Sequence, residues 1–203
     1  YLLASATNLR EAESIEAAGL AAVIAQGFEE GGHRGVFDPD AEDDRLGTLP
    51  LTRLLVGATG LPIIAAGGIM DGAGIAAALK LGAVAAQLGT AFVATDESLA
   101  GTGYRQRLCS DAAQHTVMTR VISGRPARCL ANAFTRWGAD VPESDVPDYP
   151  SAYDAGKSLH AAAKATGENG YGVQWAGQGA PLARAMPTAA LMRVLEEELA
   201  QAG

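Results

Sequence analysis

The chain has 203 residues, 48% of them hydrophobic, and a formal net charge of −8. That length suits one domain, or one domain with an appendage, and the apolar share suffices for a sizeable core. The acidic balance argues against nucleic acid, which calls for a basic stripe, and against docking on anionic membranes; no apolar run is long enough to span a bilayer, and Cys109 and Cys129, with no metal-type spacing, read as free thiols of a reducing compartment, the cytoplasm.

Tyr1 to Ala6 reads as a short apolar strand already under way, so the chain is expected to begin inside a domain, and no signal-type segment opens it. Asn8 to Ala18 has helical spacing, with Leu9, Ala12, Ile15 and Ala18 on one face, Thr7 as the expected N-cap and Gly19 as the stop. Leu20 to Ala25 is a second strand, and Gln26 to about Leu46 a long polar loop. Pro50 to Ala58 suits a helix ended by Gly60. Leu61 to Ala66 is a third strand, followed by Gly67-Gly68. Asp71 to Leu81 is an Ala-rich helix with Asp71 as N-cap and Gly82 as C-cap. Ala83 to Leu88 is a fourth strand, ending in Gly89-Thr90. Beyond Ser98 the pattern changes: Gly101 to Arg128 reads as helical with an extended stretch. Ala139 to Ser151, rich in proline and acid, reads as a surface connection, and Pro187 to Ala202 as an amphipathic helix.

Apolar strands, each followed by a helix, predict a parallel sheet covered on both faces. Four βα units are too few for a closed (β/α)8 barrel, which typically needs about 250 residues. The alternatives are a small open sheet or the second half of a barrel.

In parallel α/β sheets, ligands gather at the carboxyl ends of the strands. Gly67-Gly68 sits at such an end and precedes a helix. Glycine there lets backbone N–H groups approach an anion, and the helix N-terminus adds a positive dipole end. Gly89-Thr90 repeats the arrangement one βα unit later, with a hydroxyl added. Either pair could instead merely make a tight turn. His33 follows Gly31-Gly32 at the end of the second strand, where a neutral imidazole could serve as a base. Glu29, Glu30 and Arg34 beside it could be solvated loop charges, and Glu30 is read that way. His115 and His160 have no comparable setting.

The stretches "QGFEEGGHRG" and "PIIAAGGIMDGAGIAAALKLGAVAAQLGTAF" resemble the nitronate monooxygenases, formerly 2-nitropropane dioxygenases, which are FMN-dependent (β/α)8 barrels. "SGRPAR" at 123–128, Asn132 and "WAGQG" at 175–179 are similar to the carboxyl-terminal part of that family. The pattern is shared with flavin-dependent enoyl-acyl carrier protein reductases and NADH:quinone reductases. The resemblance implies that Gln26, Gly27 and Gly31 contact FMN, that Gly67, Gly68, Gln87, Leu88, Gly89 and Thr90 hold its phosphate end, and that His33 is the catalytic base. The glycines of residues 27–32 would then bring the loop close to the flavin. Glu30 stands where the family usually has Ala and would put a charge near the site.

The fold expected is therefore α/β: the last four βα units of an FMN-binding TIM barrel over residues 1–100, then a helical substrate or lid region with a carboxyl-terminal helix over 101–203. The missing first half would come from the rest of a longer chain or from partner material; a homo-oligomer is the other expectation. The activity implied is oxidation of alkyl nitronates, and of nitroalkanes, by O2 to carbonyl compounds and nitrite, with no metal involved. The alternatives are an NAD(P)H-dependent flavin reductase on the same scaffold, and an incomplete barrel that only binds a phosphate compound.

Overall fold

A computed structural model describes all residues, 1–203. In chain order the first half carries β1 (Leu3–Ala6), α1 (Leu9–Ala17), β2 (Ala22–Gln26), a two-residue β3 (Gly32–His33), α2 (Thr48–Ala58), β4 (Ile63–Ala66), α3 (Gly72–Lys80), β5 (Ala85–Gln87) and the single-turn α4 (Thr90–Val93). The second half carries α5 (Thr102–Leu108), β6 (Thr116–Thr119), β7 (Ala127–Leu130), α6 (Ala133–Trp137), α7 (Ser151–Ala165) and α8 (Thr188–Ala202).

Strands β1, β2, β4 and β5 pair in that order, and every pairing is parallel, as the sequence pattern predicts. Their register explains the rest. Ala4, Val23 and Ile63 align across the sheet, as do Ala6, Ala25, Ala65 and Ala86. Successive strand residues point to opposite faces, so these rows share one face. That face packs on Ala12 and Ile15 of α1, Leu51 and Leu55 of α2, and Ala78 of α3.

The intervening row ends in Gln26, Ala66 and Gln87 and looks the other way, into a cavity that Ser5 and Ile24 also line. The expectation of a sheet covered by helices on both faces is therefore corrected. Helices α1 to α3 lie on one side and a cavity on the other, the arrangement of a sector of a barrel wall.

Helix termini also refine the sequence reading. Asn8, not Thr7, caps α1: its side chain accepts from the Glu11 N–H at 3.0 Å. Thr7 is instead held by the Glu11 carboxylate, which accepts from both its N–H and its hydroxyl. Asp71 caps α3 as expected, accepting from the Gly74 N–H. Gly82 follows the C-cap Leu81 with φ 99°, the left-handed position glycine commonly fills after a helix.

The second half is not helical alone. Strands β6 and β7 pair antiparallel, and β7 pairs in turn with β3, which puts a strand inside the stretch 26–46 read as loop. A two-residue strand carries no periodicity, so nothing in the sequence marks it. Helix α7 is a further element absent from the sequence reading.

Candidate functional site

The cavity at the carboxyl ends of the parallel strands gathers most of the residues singled out above. Gln26, Gly31, Gly67, Gly68, Gln87, Gly89 and Thr90 all line it. Gly27 and Leu88 do not. A Cβ at Gly27 would lie 2.1 Å from Thr48 Oγ1, so this glycine permits close packing on the start of α2. Leu88 packs on the apolar cluster beneath α3. Both stand behind the cavity wall.

The glycines serve different ends. A Cβ at Gly31 would come 2.4 Å from the Gly177 nitrogen, so this residue lets the 176–177 segment cross the loop. A Cβ at either Gly27 or Gly31 would meet neighbouring protein backbone, so both glycines permit close chain crossings here, while Gly31 also lines the cavity. Gly68 has φ 70°, a conformation that L-residues rarely adopt. Of the glycines that line the cavity, only Gly89 borders open space, with nothing within 4 Å of an added Cβ.

The helix N-terminus after Gly68 is also not free to bind an anion. Asp71 and Glu198 already stand there as carboxylates, accepting the N–H groups of Gly74 and Gly72. What lines this end of the cavity instead is the Gly67–Met70 loop and Gly89-Thr90. The Thr90 oxygen accepts from the Gly177 N–H at 3.0 Å, which leaves its hydroxyl proton to donate.

His33 sits one strand residue from Gly31-Gly32 and is held there by pairing with Ala127. The side-chain amide of Gln26 fixes the same turn. Its nitrogen donates to the His33 carbonyl at 3.1 Å and its oxygen accepts the Gly35 N–H at 2.6 Å. Gln26 thus lines the cavity while positioning His33. The "GRPAR" stretch secures the loop from the other side. Arg125 donates to the Val36 carbonyl, Arg128 to the Phe28 carbonyl, and the Arg34 N–H to the Pro126 carbonyl.

The imidazole is framed by Tyr149, Tyr153 and Trp175, with ring centroids 5.6, 5.5 and 5.2 Å away. Its Nε2 is buried with no hydrogen-bond partner. Burial, helped by the Arg125 charge, pushes its pKa below the usual histidine value, so the ring is neutral at pH 7. His33 opens on a neighbouring hollow with Arg125 and Tyr149, and Ser5 borders both hollow and cavity.

Sequence reasoning did not find the aromatic frame. Tyr149 lies in the stretch read as a surface connection, and Trp175 arrives from a segment 142 positions beyond His33. The one available signal was the pair Tyr153 and Lys157, one turn apart on a single helix face. Lys157 Nζ lies 4.2 Å from the Tyr153 ring centroid.

Glu30 is not the solvated loop charge expected. It is 5% exposed, with both carboxyl oxygens buried and without hydrogen-bond partners. The nearest guanidinium, Arg34, is 3.8 Å away and already committed, bidentate to Asp43 and donating to the Gln26 carbonyl. Burial outweighs the attraction of Arg34 and Arg128 and pushes the Glu30 carboxyl up to about 8. At pH 7 it is mostly the neutral acid, so the expected charge beside the site is absent. Glu29, by contrast, caps α2, accepting from the Thr48 N–H and hydroxyl.

The nitronate monooxygenase family model matches residues 1–198. A nitronate monooxygenase of Paraburkholderia phytofirmans is 64% identical over 200 residues, covering 98% of this chain and 55% of that protein. One from Pseudomonas aeruginosa is 52% identical over 198 residues, with 98% and 56% covered. Among solved structures, a nitroalkane oxidase from Streptomyces ansochromogenes superposes with a TM-score of 0.92 at 44% identity, over 98% of this chain and 57% of that one. FabK from Thermotoga maritima superposes with a TM-score of 0.81 at 31% identity, over 98% and 60%. The chain thus spans little more than half the length of the relatives it matches.

Proposed function

The chain belongs to the nitronate monooxygenase family, and from that premise we propose that it supplies the cofactor and substrate residues of an FMN enzyme. In the assembled barrel the reaction is the oxidation of alkyl nitronates, and of nitroalkanes once a carbon-bound proton is removed, by O2 to carbonyl compounds and nitrite.

The residues present fit such a cofactor. Gly89 leaves open space beside the Thr90 hydroxyl, and the strand-end row Gln26, Ala66 and Gln87 faces the same cavity. Gln26 and Gly31 would border the flavin ring system, and Gly67, Gly68, Gln87, Gly89 and Thr90 its phosphate end. Gly27 and Leu88 would support these from behind. When bound, the flavin supplies the electron acceptor that oxidises the substrate and in turn reduces O2.

The chain's own part is the proton. A nitroalkane gives up the hydrogen on the carbon bearing its nitro group; the C–H electron pair stays with the substrate as the nitronate, and the proton passes to His33 Nε2. Neutral at pH 7 and without another partner, that nitrogen can receive it. Tyr149, Tyr153 and Trp175 would hold the substrate against it and keep water away. The observation that carries this reading is the buried, unpaired Nε2, framed by three aromatic rings beside a glycine-lined cavity.

Anaerobic stopped-flow mixing tests it. Fast bleaching of the flavin by an alkyl nitronate is expected. Fast bleaching by NADH with none by nitronate would favour the reductase reading. A protein that takes up no FMN would sink both.

A further inference from the structure

The parallel sheet does not account for α8, yet two side chains of the carboxyl-terminal segment reach the loop after β4. Glu198 on α8 accepts the Gly72 N–H at 2.9 Å. Arg184 grips the same carboxylate with both ends of its fork, at 2.8 and 3.1 Å, and lies 3.4 Å from the Met70 carbonyl. Contact is close all along this seam. A Cβ at Gly72 would lie 2.2 Å from the Leu199 nitrogen, and one at Gly179 would lie 2.7 Å from the Gly68 oxygen. Gly68 and Met70, on the inner side of the loop, line the cavity.

We propose that Arg184 and Glu198 are positioning residues for the loop that receives the flavin phosphate, and that Arg184 cancels a carboxylate charge which would otherwise repel that phosphate. The proposal rests on the FMN reading above and deepens it. Glu198 orients the loop by taking the first N–H of α3, one of the donors a helix leaves unsatisfied. Being held by Arg184 and Gly72, its carboxyl has a pKa below the usual range, so it is ionised at pH 7. A bare carboxylate in that place would act against a phosphate dianion across a single layer of backbone. Arg184 removes that penalty and keeps the loop carbonyl at Met70 turned outward.

The test uses the full-length protein and two probes, FMN and riboflavin, which differ only in the phosphate. Arg184→Gln should weaken FMN binding about three- to tenfold, the worth of a partly exposed pair, and leave riboflavin affinity unchanged. Adding Glu198→Gln should restore most of the lost FMN affinity, because the uncompensated charge is then gone. Glu97→Gln provides the structural control. Glu97 ties the start of α8 by accepting from the Thr188 N–H and hydroxyl, away from the loop; it should lower Tm without moving the ratio of FMN to riboflavin affinity. Equal losses for both probes, a double variant worse than the single, or the same ratio change in Glu97→Gln would each overturn the proposal. A native protein that binds neither probe would refute the FMN reading itself.

Discussion

Replacing Glu30 by Ala should stabilise the protein at neutral pH and above, by an amount that grows with pH. The carboxyl is buried near Arg34 and Arg128 yet receives no hydrogen bond, and its pKa is raised from 4.5 to about 8. A carboxyl whose folded pKa lies above its unfolded value holds its proton more tightly when folded. Stability is therefore highest below about pH 4.5 and declines as pH rises, until the folded group ionises near 8. One pKa unit corresponds to about 1.4 kcal/mol, so the cost of Glu30 reaches about 3 kcal/mol at pH 7. Ala removes this term and leaves the bonds of Arg34 to Asp43 and the Gln26 carbonyl in place. The small void it creates costs about 1–2 kcal/mol at every pH. The quantity to read is thus the slope. Urea denaturation followed by circular dichroism at pH 5, 6, 7 and 8 should show the variant gaining on the native protein by about 1.4 kcal/mol per pH unit. Parallel stability profiles would mean that Glu30 is ionised in the folded state, and the assignment of a neutral acid would fall.

His33→Ala should slow nitroalkane oxidation by roughly 10²–10⁴, the usual worth of a positioned base, and slow nitronate oxidation far less, with FMN still bound; steady-state rates on the two substrates compare them, and equal losses would make His33 a binding group. Gly89→Ala should leave Tm unchanged, since its Cβ meets nothing within 4 Å and its φ of −116° suits any residue, yet weaken FMN binding; unchanged FMN titration would remove the phosphate from this corner. Gly68→Val should lower both Tm and FMN affinity, because its φ of 70° is strained for a β-branched residue and its Cβ would press on Glu29 at 3.2 Å; a variant with native Tm would contradict the backbone described. Asn8→Ala should cost about 1 kcal/mol through loss of the α1 cap, while Thr7→Ala should act through the Glu11 carboxylate instead; thermal melts separate the two.

The parallel strands were legible because each is a short apolar run between helix signals, and the glycines at their ends were legible because Gly67-Gly68 and Gly89-Thr90 recur at one βα spacing. His33 stood out for the same reason. Other features were not legible, because they depend on residues distant in sequence. The two-residue β3 exists only because β7, nearly a hundred positions later, pairs with it. The aromatic frame is assembled from 149, 153 and 175 around 33. Glu30 reads as a loop acid until Arg34 and Arg128 close over it and leave it without a bond. The helix N-terminus after Gly68 looks free for an anion until α8 brings Glu198 to it. The one-sided sheet was missed because an apolar row facing a cavity and one facing a helix have the same composition: Ile24 and Val23 are indistinguishable as letters.

The alternation along these strands also divides the protein's capacity to vary. In β2 and β4 the odd positions, Val23, Ala25, Ile63 and Ala65, lie under helices, while the even positions Ile24, Gln26 and Ala66 face the cavity. Changes at the first set should alter how much folded protein a cell retains; changes at the second should alter what the site accepts at nearly constant abundance. In a library that scores abundance and turnover separately, the two readouts should alternate codon by codon along each strand, with the phase reversed in β1 and β5, where Ala4, Ala6 and Ala86 are the outward positions. New substrate preferences can then be sampled on one set of codons while the other, under purifying selection, keeps the barrel wall intact.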